Sequence, residues 1–345
     1  MKIGFYSPYL DALGGGERYV LTLASHWCRN HRVTLFWDDP QIRGKAEQRF
    51  NINLSKVKTA ENVFRTKNIF KKMFISRQYD AIFFLTDGSI PTSFAKYNIL
   101  HFQVPFQHIP VHPIKLTRFQ AIVCNSDFTR RNIDSRLGRH ACVIYPPITP
   151  IKHTNIAKKN VILSVGRFHP LKKQDVLIEA FRIGVKGTLS NYTLILAGGL
   201  LEPDKPYLKR LQTAAKNLPV QILPNVTYRT LTGLYRDASV YWHAAGIHES
   251  NPEHMEHFGI STAEAMSAGA VPVVYSGGGL PEIVRPEEDG FLWANTDDLL
   301  KYTARVIASK TLRASLAKAA TIRAGEFSTN KFTGSFDKLL AGISR

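Results

Sequence analysis

Apolar positions fall in short continuous runs, and between the runs they recur at helical spacing from end to end. That alternation predicts doubly wound parallel sheets, an α/β fold. In the first half the runs Ile3–Tyr6, Val33–Trp37, Tyr79–Leu85, Asn98–Gln103, Ala121–Asn125 and Cys142–Tyr145 read as strands. Helices are expected over Arg18–Arg29, where Tyr19, Val20, Leu23 and Trp27 share a face, and over Asp127–Leu137. Residues 40–78 show no clear element and are rich in Lys and Arg. The proline-containing stretch Pro146–Lys159 reads as a linker. Beyond it the pattern returns: strand Asn160–Val165, helix Gln174–Arg182, strand Tyr192–Ala197, and closing helices over Asp297–Ala308 and Leu312–Ala324. The domains expected are 1–150 and 151–326. In the remaining segment, 327–345, Phe332, Phe336 and Leu339 lie on one face.

Length and composition sharpen this. A chain of 345 residues, 44% hydrophobic, can bury two sizeable cores. Cys28, Cys124 and Cys142 have neither zinc-like nor CxxC spacing, which points to a reducing cytoplasm. MKIGFYSP reads as a first strand and not as a signal peptide, and no run of apolar residues is long enough to span a bilayer. A membrane partner is therefore met from the surface, which would place the chain in the cytoplasm or on the inner face of the cytoplasmic membrane.

Formal charge is +18, and residues 1–150 hold 21 basic and 10 acidic residues, 21 − 10 = +11. The densest stretch, Arg65–Arg77, interleaves Ile69, Phe70, Met73 and Phe74 with Lys67, Lys71, Lys72 and Arg77. An amphipathic basic helix of this kind suits an anionic lipid surface; a core helix with a charged outer face fits the same pattern. No RNP, KH or helix-turn-helix pattern supports a nucleic-acid partner.

Four segments carry candidate chemistry. In Glu256–Glu282 a short loop leads into a helix that Ser261 and Thr262 can cap, with Ile260, Ala263, Ala265 and Met266 buried; the strand Ala270–Tyr275 and the turn Ser276–Gly279 follow. Glu256 and Glu264 flank that helix N-terminus, where amides suit phosphates or hydroxyls and a carboxylate suits a sugar diol. An ordinary helix–strand unit with two exposed acids reads the same way. Gly14-Gly15-Gly16 follows a strand and opens a helix, so it serves as an anion-binding turn or simply as a flexible one. Gly166–Lys172 follows the first strand of the second half, where Arg167 and Lys172 can grip a diphosphate or lie solvated. His101 ends a predicted strand, a place open to structural and functional roles. His108 and His112 read as loop residues, and His248, His254 and His257 lack convincing metal spacing.

The string EHFGI, with Glu264 following Glu256 after seven intervening residues and GGLPEI further on, resembles the E-x7-E signature of retaining glycosyltransferases of family four. Its wording is closest to lipid-linked-oligosaccharide mannosyltransferases and bacterial envelope-sugar transferases. The resemblance implies the GT-B fold: two Rossmann-like domains facing a central cleft, with a C-terminal segment crossing back to the first. GRFHPLKK resembles the family's GR-x4-KG segment, with Lys173 in place of the usual glycine. It implies Arg167 and Lys172 on the leaving nucleoside diphosphate, Glu264 on the ribose, and Glu256 with the amides of Phe258, Gly259 and Ile260 on sugar hydroxyls. Asn225 and Val226 would lie by the base, Gly15 and Gly16 by the diphosphate, and His101 by the donor sugar. Asn125-Ser126 resembles a turn on the acceptor side.

The expected function is transfer of a hexose, GDP-mannose favoured, to a lipid-linked or polysaccharide acceptor without metal or other cofactor. A UDP-hexose donor, a sugar-nucleotide epimerase or phosphorylase, and a non-enzymatic glycolipid binder are the alternatives. The loop Gly246–Met255 receives no role.

Overall fold

The computed structural model describes residues 1–110, 113–151 and 157–344. His112 and part of the expected linker, 152–156, lie outside the described residues. The chain divides into two compact units, Met1–Pro147 with Thr329–Arg345, and Ile148–Ser328.

The first unit carries seven parallel strands: β1 (Lys2–Tyr6), β2 (Arg32–Phe36), β3 (Lys58–Ala60), β4 (Ala81–Leu85), β5 (Tyr97–Phe102), β6 (Ala121–Cys124) and β7 (Ala141–Val143), in the order β3-β2-β1-β4-β5-β6-β7. The apolar runs form strands because both sheet faces are covered, as β4, buried along its whole length, illustrates. The helix after β1 begins at Gly15, earlier than expected, and runs to Trp27. The single helix expected over Asp127–Leu137 is two, Asp127–Asn132 and Ser135–Gly138. Ile133 turns to extended backbone between them, and Asp134 caps the second by accepting the Arg136 amide. Ser126 caps the first, accepting the Thr129 amide.

Helix Thr329–Ile343 packs on this sheet through Phe332, Phe336 and Leu340, spaced four apart; Leu339 is only half-buried beside them. Phe332 stands edge-on to Tyr19, and Phe336 to Phe83 and Trp27. Asp337 accepts the Trp27 indole N–H at 2.9 Å.

The second unit has six parallel strands: β8 (Lys159–Val165), β9 (Thr193–Gly198), β10 (Val220–Pro224), β11 (Ala238–His243), β12 (Val271–Tyr275) and β13 (Phe291–Trp293), in the order β10-β9-β8-β11-β12-β13. Both sheets are Rossmann-like. In the second, the strand order reverses between β8 and β11, which pair directly. Open α/β sheets bind ligands at such a switch point, beyond the strands' carboxyl ends.

Candidate functional site

The loop leaving β8 is tightly fixed. Gly166 donates to Ala197, Phe168 is buried and donates to the Gly199 carbonyl at 2.8 Å, and Gln174 Nε2 donates to the Arg167 carbonyl at 2.9 Å. Arg167 itself is exposed. A 3-10 turn, Pro170–Lys172, follows, and Lys173 takes φ +55° before helix Gln174–Gly184. Left-handed backbone at Lys173 gives a physical reason for a glycine there, and for the cost of a lysine.

The turn aims Lys172 at Glu256: Nζ lies 2.6 Å from Oε2. His243, the last residue of β11, reaches the same oxygen with Nε2 at 3.0 Å. The amide of Ala245 donates to His243 Nδ1 at 3.3 Å, so the ring carries its proton on Nε2 and donates it to the carboxylate. Burial by itself would raise the Glu256 carboxyl; the Lys172 charge and the His243 hydrogen bond overcome this and hold it well below the usual range. Glu256 is thus a fixed anion at the switch point.

The glycine turn 277–279 exists to seat Glu256. Gly279 donates to the Glu256 carbonyl at 2.7 Å, and Gly278, at φ +62°, packs so close that a Cβ would overlap that carbonyl. Gly259, at φ +113°, is the residue before helix Ile260–Ser267, and a Cβ there would meet Leu280 at 2.8 Å. Ser261 and Thr262, expected as caps, lie inside the first turn: Gly259 occupies the cap position, and the Ser261 hydroxyl instead meets Tyr241 Oη at 2.8 Å. Phe258 is buried edge-on to Phe327, and Ile260 is half-buried. Amides in this first turn precede the helix's own acceptors and face outward along its axis. Glu264 is buried, not exposed, and accepts the Tyr235 hydroxyl at 3.1 Å.

Asn225, after β10, is left-handed at φ +53°; its amide donates to Gly198, and its Oδ1 accepts the Leu200 amide at 2.9 Å. The side-chain oxygen is thereby spent on joining two loops, and Val226 beside it is half-buried. The loop without an assigned role is docked through Glu249, whose Oε1 lies 2.6 Å from Lys173 Nζ, with His254 at 3.5 Å from Oε2.

In the first unit, His101 ends up fully buried, stacked on Tyr19 with ring centroids 4.0 Å apart. Nδ1 donates to the Val123 carbonyl at 3.1 Å and Nε2 accepts from Gln103 Nε2 at 3.2 Å. Burial lowers its pKa to about 3, against the opposing Val123 bond, so it is neutral at physiological pH. Gln103 Nε2 also lies 3.3 Å from the Gly16 carbonyl, while the Gln103 carbonyl accepts from Asn125. A Cβ on Gly16 would overlap the Gln103 amide; Gly15 is exposed at the helix start. Gly16, His101 and Asn125, chosen separately from sequence, therefore converge on one glutamine.

Sequence reasoning missed His243 and Gln103. The signal that could have found His243 was its place as the last residue of a buried strand beside the Glu256 loop. Among the described residues no group of three or more His, Cys, Asp or Glu is placed to hold a metal ion.

The model of glycosyl transferases group 1 matches residues 148–323, just over half of the chain. The chain belongs to this family. Arg167, Lys172, Asn225, Val226, Glu256–Ile260 and Glu264 lie inside the matched segment; Gly15, Gly16 and His101 lie outside it. The chain is 27% identical over 243 residues to the GDP-Man:Man(3)GlcNAc(2)-PP-Dol alpha-1,2-mannosyltransferase of Dictyostelium discoideum, covering 64% of this chain and 46% of that protein. It is 32% identical over 200 residues to the D-inositol 3-phosphate glycosyltransferase of Mycolicibacterium vanbaalenii, covering 55% and 41%. The chain thus spans under half the length of these relatives. The Anabaena protein Alr3699/HepE, solved with UDP, shares the fold at a TM-score of 0.76 and 20% identity over 99% of this chain and 100% of that one. The GT-B architecture expected from sequence, two Rossmann-like parallel-sheet domains, is the one present.

Proposed function

We propose that this chain transfers a hexose from a nucleoside diphosphate sugar to a lipid-linked or polysaccharide acceptor, with retention of anomeric configuration. The observation that carries this reading is the Lys172–Glu256–His243 cluster at the switch point of the family-matching unit. A sugar hydroxyl bound there meets a permanently charged acceptor, and the diphosphate meets Lys172 and the exposed Arg167. Glu264 holds the ribose, the amides of Phe258, Gly259 and Ile260 hold hydroxyls, and Asn225 and Val226 border the base through backbone and shape. His243 positions Glu256 and Lys172. Gly15, Gly16 and neutral, buried His101 belong to the first unit, to which we assign the acceptor.

In the step proposed, the bond from the anomeric carbon to the diphosphate breaks and the bond to the acceptor oxygen forms on the same face. The acceptor's proton passes to the departing phosphate, whose growing charge Arg167 and Lys172 stabilise. Neither metal nor another cofactor enters this scheme.

GDP-mannose is favoured by the wording EHFGI and by the GDP-Man in the name of the Dictyostelium relative. UDP-hexose is the second reading, supported by the UDP with which the Anabaena protein was solved. The PP-Dol of the Dictyostelium name supports a lipid-linked acceptor. No helix among the described residues is long and apolar enough to cross a membrane. A thermal-shift screen of nucleoside diphosphates and their sugars tests the donor class: stabilisation by GDP or UDP compounds supports it, and indifference to both contradicts it.

A further inference from the structure

Helix Ile69–Ser76 buries only Ser76. Its aromatic residues Phe70 and Phe74, one turn apart, are 74% and 70% exposed, and Ile69 is 51% exposed. The core-helix reading of this segment requires those rings inside, and they are outside. Ile114, in a second short helix, is 71% exposed. Scattered exposed apolar residues are ordinary; a group of large ones within one neighbourhood is informative.

Three observations put the two helices in one neighbourhood. Arg77 and Arg118 both lie over the Phe94 ring, at 5.9 and 5.5 Å from its centroid. The Phe94 amide donates to Ser76 Oγ at 2.9 Å. Burial first, and then the charge of Lys115, lower the Lys72 ammonium from its ordinary value. The segments that carry these residues are rich in cations. No carboxylate occurs between Glu61 and Asp80, or between Asp87 and Asp127. Lys71 is the exception among the cations, held 2.6 Å from Glu61.

We propose that this face of the first unit docks on an anionic bilayer. Phe70, Phe74 and Ile114 enter the headgroup region, while Lys67, Lys72 and Lys115 pair with lipid phosphates. Charge complementarity selects this occupant: an apolar cluster flanked by cations, with the adjoining carboxylate of Glu61 already paired to Lys71, fits a negatively charged surface with an apolar interior. Lys71, occupied by Glu61, contributes least, which revises the cation set expected from sequence. The surface lies outside the donor-binding residues and does not depend on the reaction proposed for them.

Co-sedimentation of the full chain with vesicles tests this, using phosphatidylcholine alone and phosphatidylcholine mixed with phosphatidylglycerol. The parent chain should pellet with the mixed vesicles and not with the neutral ones, and release steeply as salt rises. Each lysine at such a surface is worth about fivefold in partitioning, so Lys67→Glu/Lys72→Glu/Lys115→Glu should lose roughly a hundredfold or more. Phe70→Ser/Phe74→Ser should also release the chain, whereas Lys71→Ala should change little. The Phe and Lys variants should bind nucleoside diphosphate as the parent does, so failure here and failure of the donor assignment read differently. Equal pelleting by parent and variants, pelleting with neutral vesicles alone, or a dimer that Phe70→Ser/Phe74→Ser abolishes would each overturn the proposal.

Discussion

His243, at the end of β11, and Lys172, in the turn that follows the adjacent β8, converge on a single oxygen of Glu256, at 3.0 and 2.6 Å. The carboxylate is thereby fixed in charge and direction, and the arrangement makes His243 a positioning residue. His243→Phe removes a hydrogen bond to a charged group, worth about 1.5–3 kcal/mol. We expect it to weaken donor binding and slow turnover, and His243→Gln, which keeps an N–H in reach, to restore part of both. Steady-state kinetics with varied donor checks this; equal deficits in the two variants would reduce His243 to packing.

Lys172 serves both fold and ligand. Lys172→Ala leaves Glu256 buried with one partner, so it should lower stability as well as turnover. The sign with pH follows from the depressed carboxyl. Its contribution to stability is present above the ordinary value of 4.5 and is lost as pH falls below it. Lys172→Ala should therefore lose stability chiefly at neutral pH and converge on the parent in acid. Lys172→Ala/Glu256→Gln should regain stability but not turnover, a non-additivity that thermal melts across pH detect. Arg167→Ala, at an exposed site, should cut turnover by orders of magnitude with an unchanged melt.

Lys173 offers a backbone test. At φ +55° a Cβ costs about 1–2 kcal/mol, and both Lys173→Ala and Lys173→Gly lose the Glu249 pair. The glycine variant should therefore be more stable than the alanine variant by about 1 kcal/mol, read from denaturant midpoints. Equal midpoints would mean that the turn relaxes.

What was legible in the sequence was what short-range pattern encodes. Strands such as Ala81–Leu85 are continuous apolar runs because both faces are covered; the carboxyl end of the run Asn160–Val165 located Arg167 and Lys172, and the helix N-terminus after Gly259 located Glu256. Less legible were consequences of chain reversal in three dimensions. His243 sits thirteen positions before Glu256 in a run that reads as core. Gln103 gains its role from two distant segments, at Gly16 and Asn125, as well as from neighbouring His101. Ser261 and Thr262 look like caps until Gly259 is seen in the left-handed region, where it takes the cap position. Phe70 and Phe74 have core composition, and only the packing around Ser76 shows that they face outward.

The central claim is that the second unit binds a nucleoside diphosphate sugar with Glu264 on its ribose. Isothermal titration of the full chain with GDP and UDP, in the parent and in Glu264→Ala, tests it most directly. At least one diphosphate should bind, and binding should be weakened in the variant by roughly 1.5–3 kcal/mol, the value of a hydrogen bond to a charged group. Absence of binding to both, or affinity unchanged by loss of the Glu264 carboxylate, would contradict it.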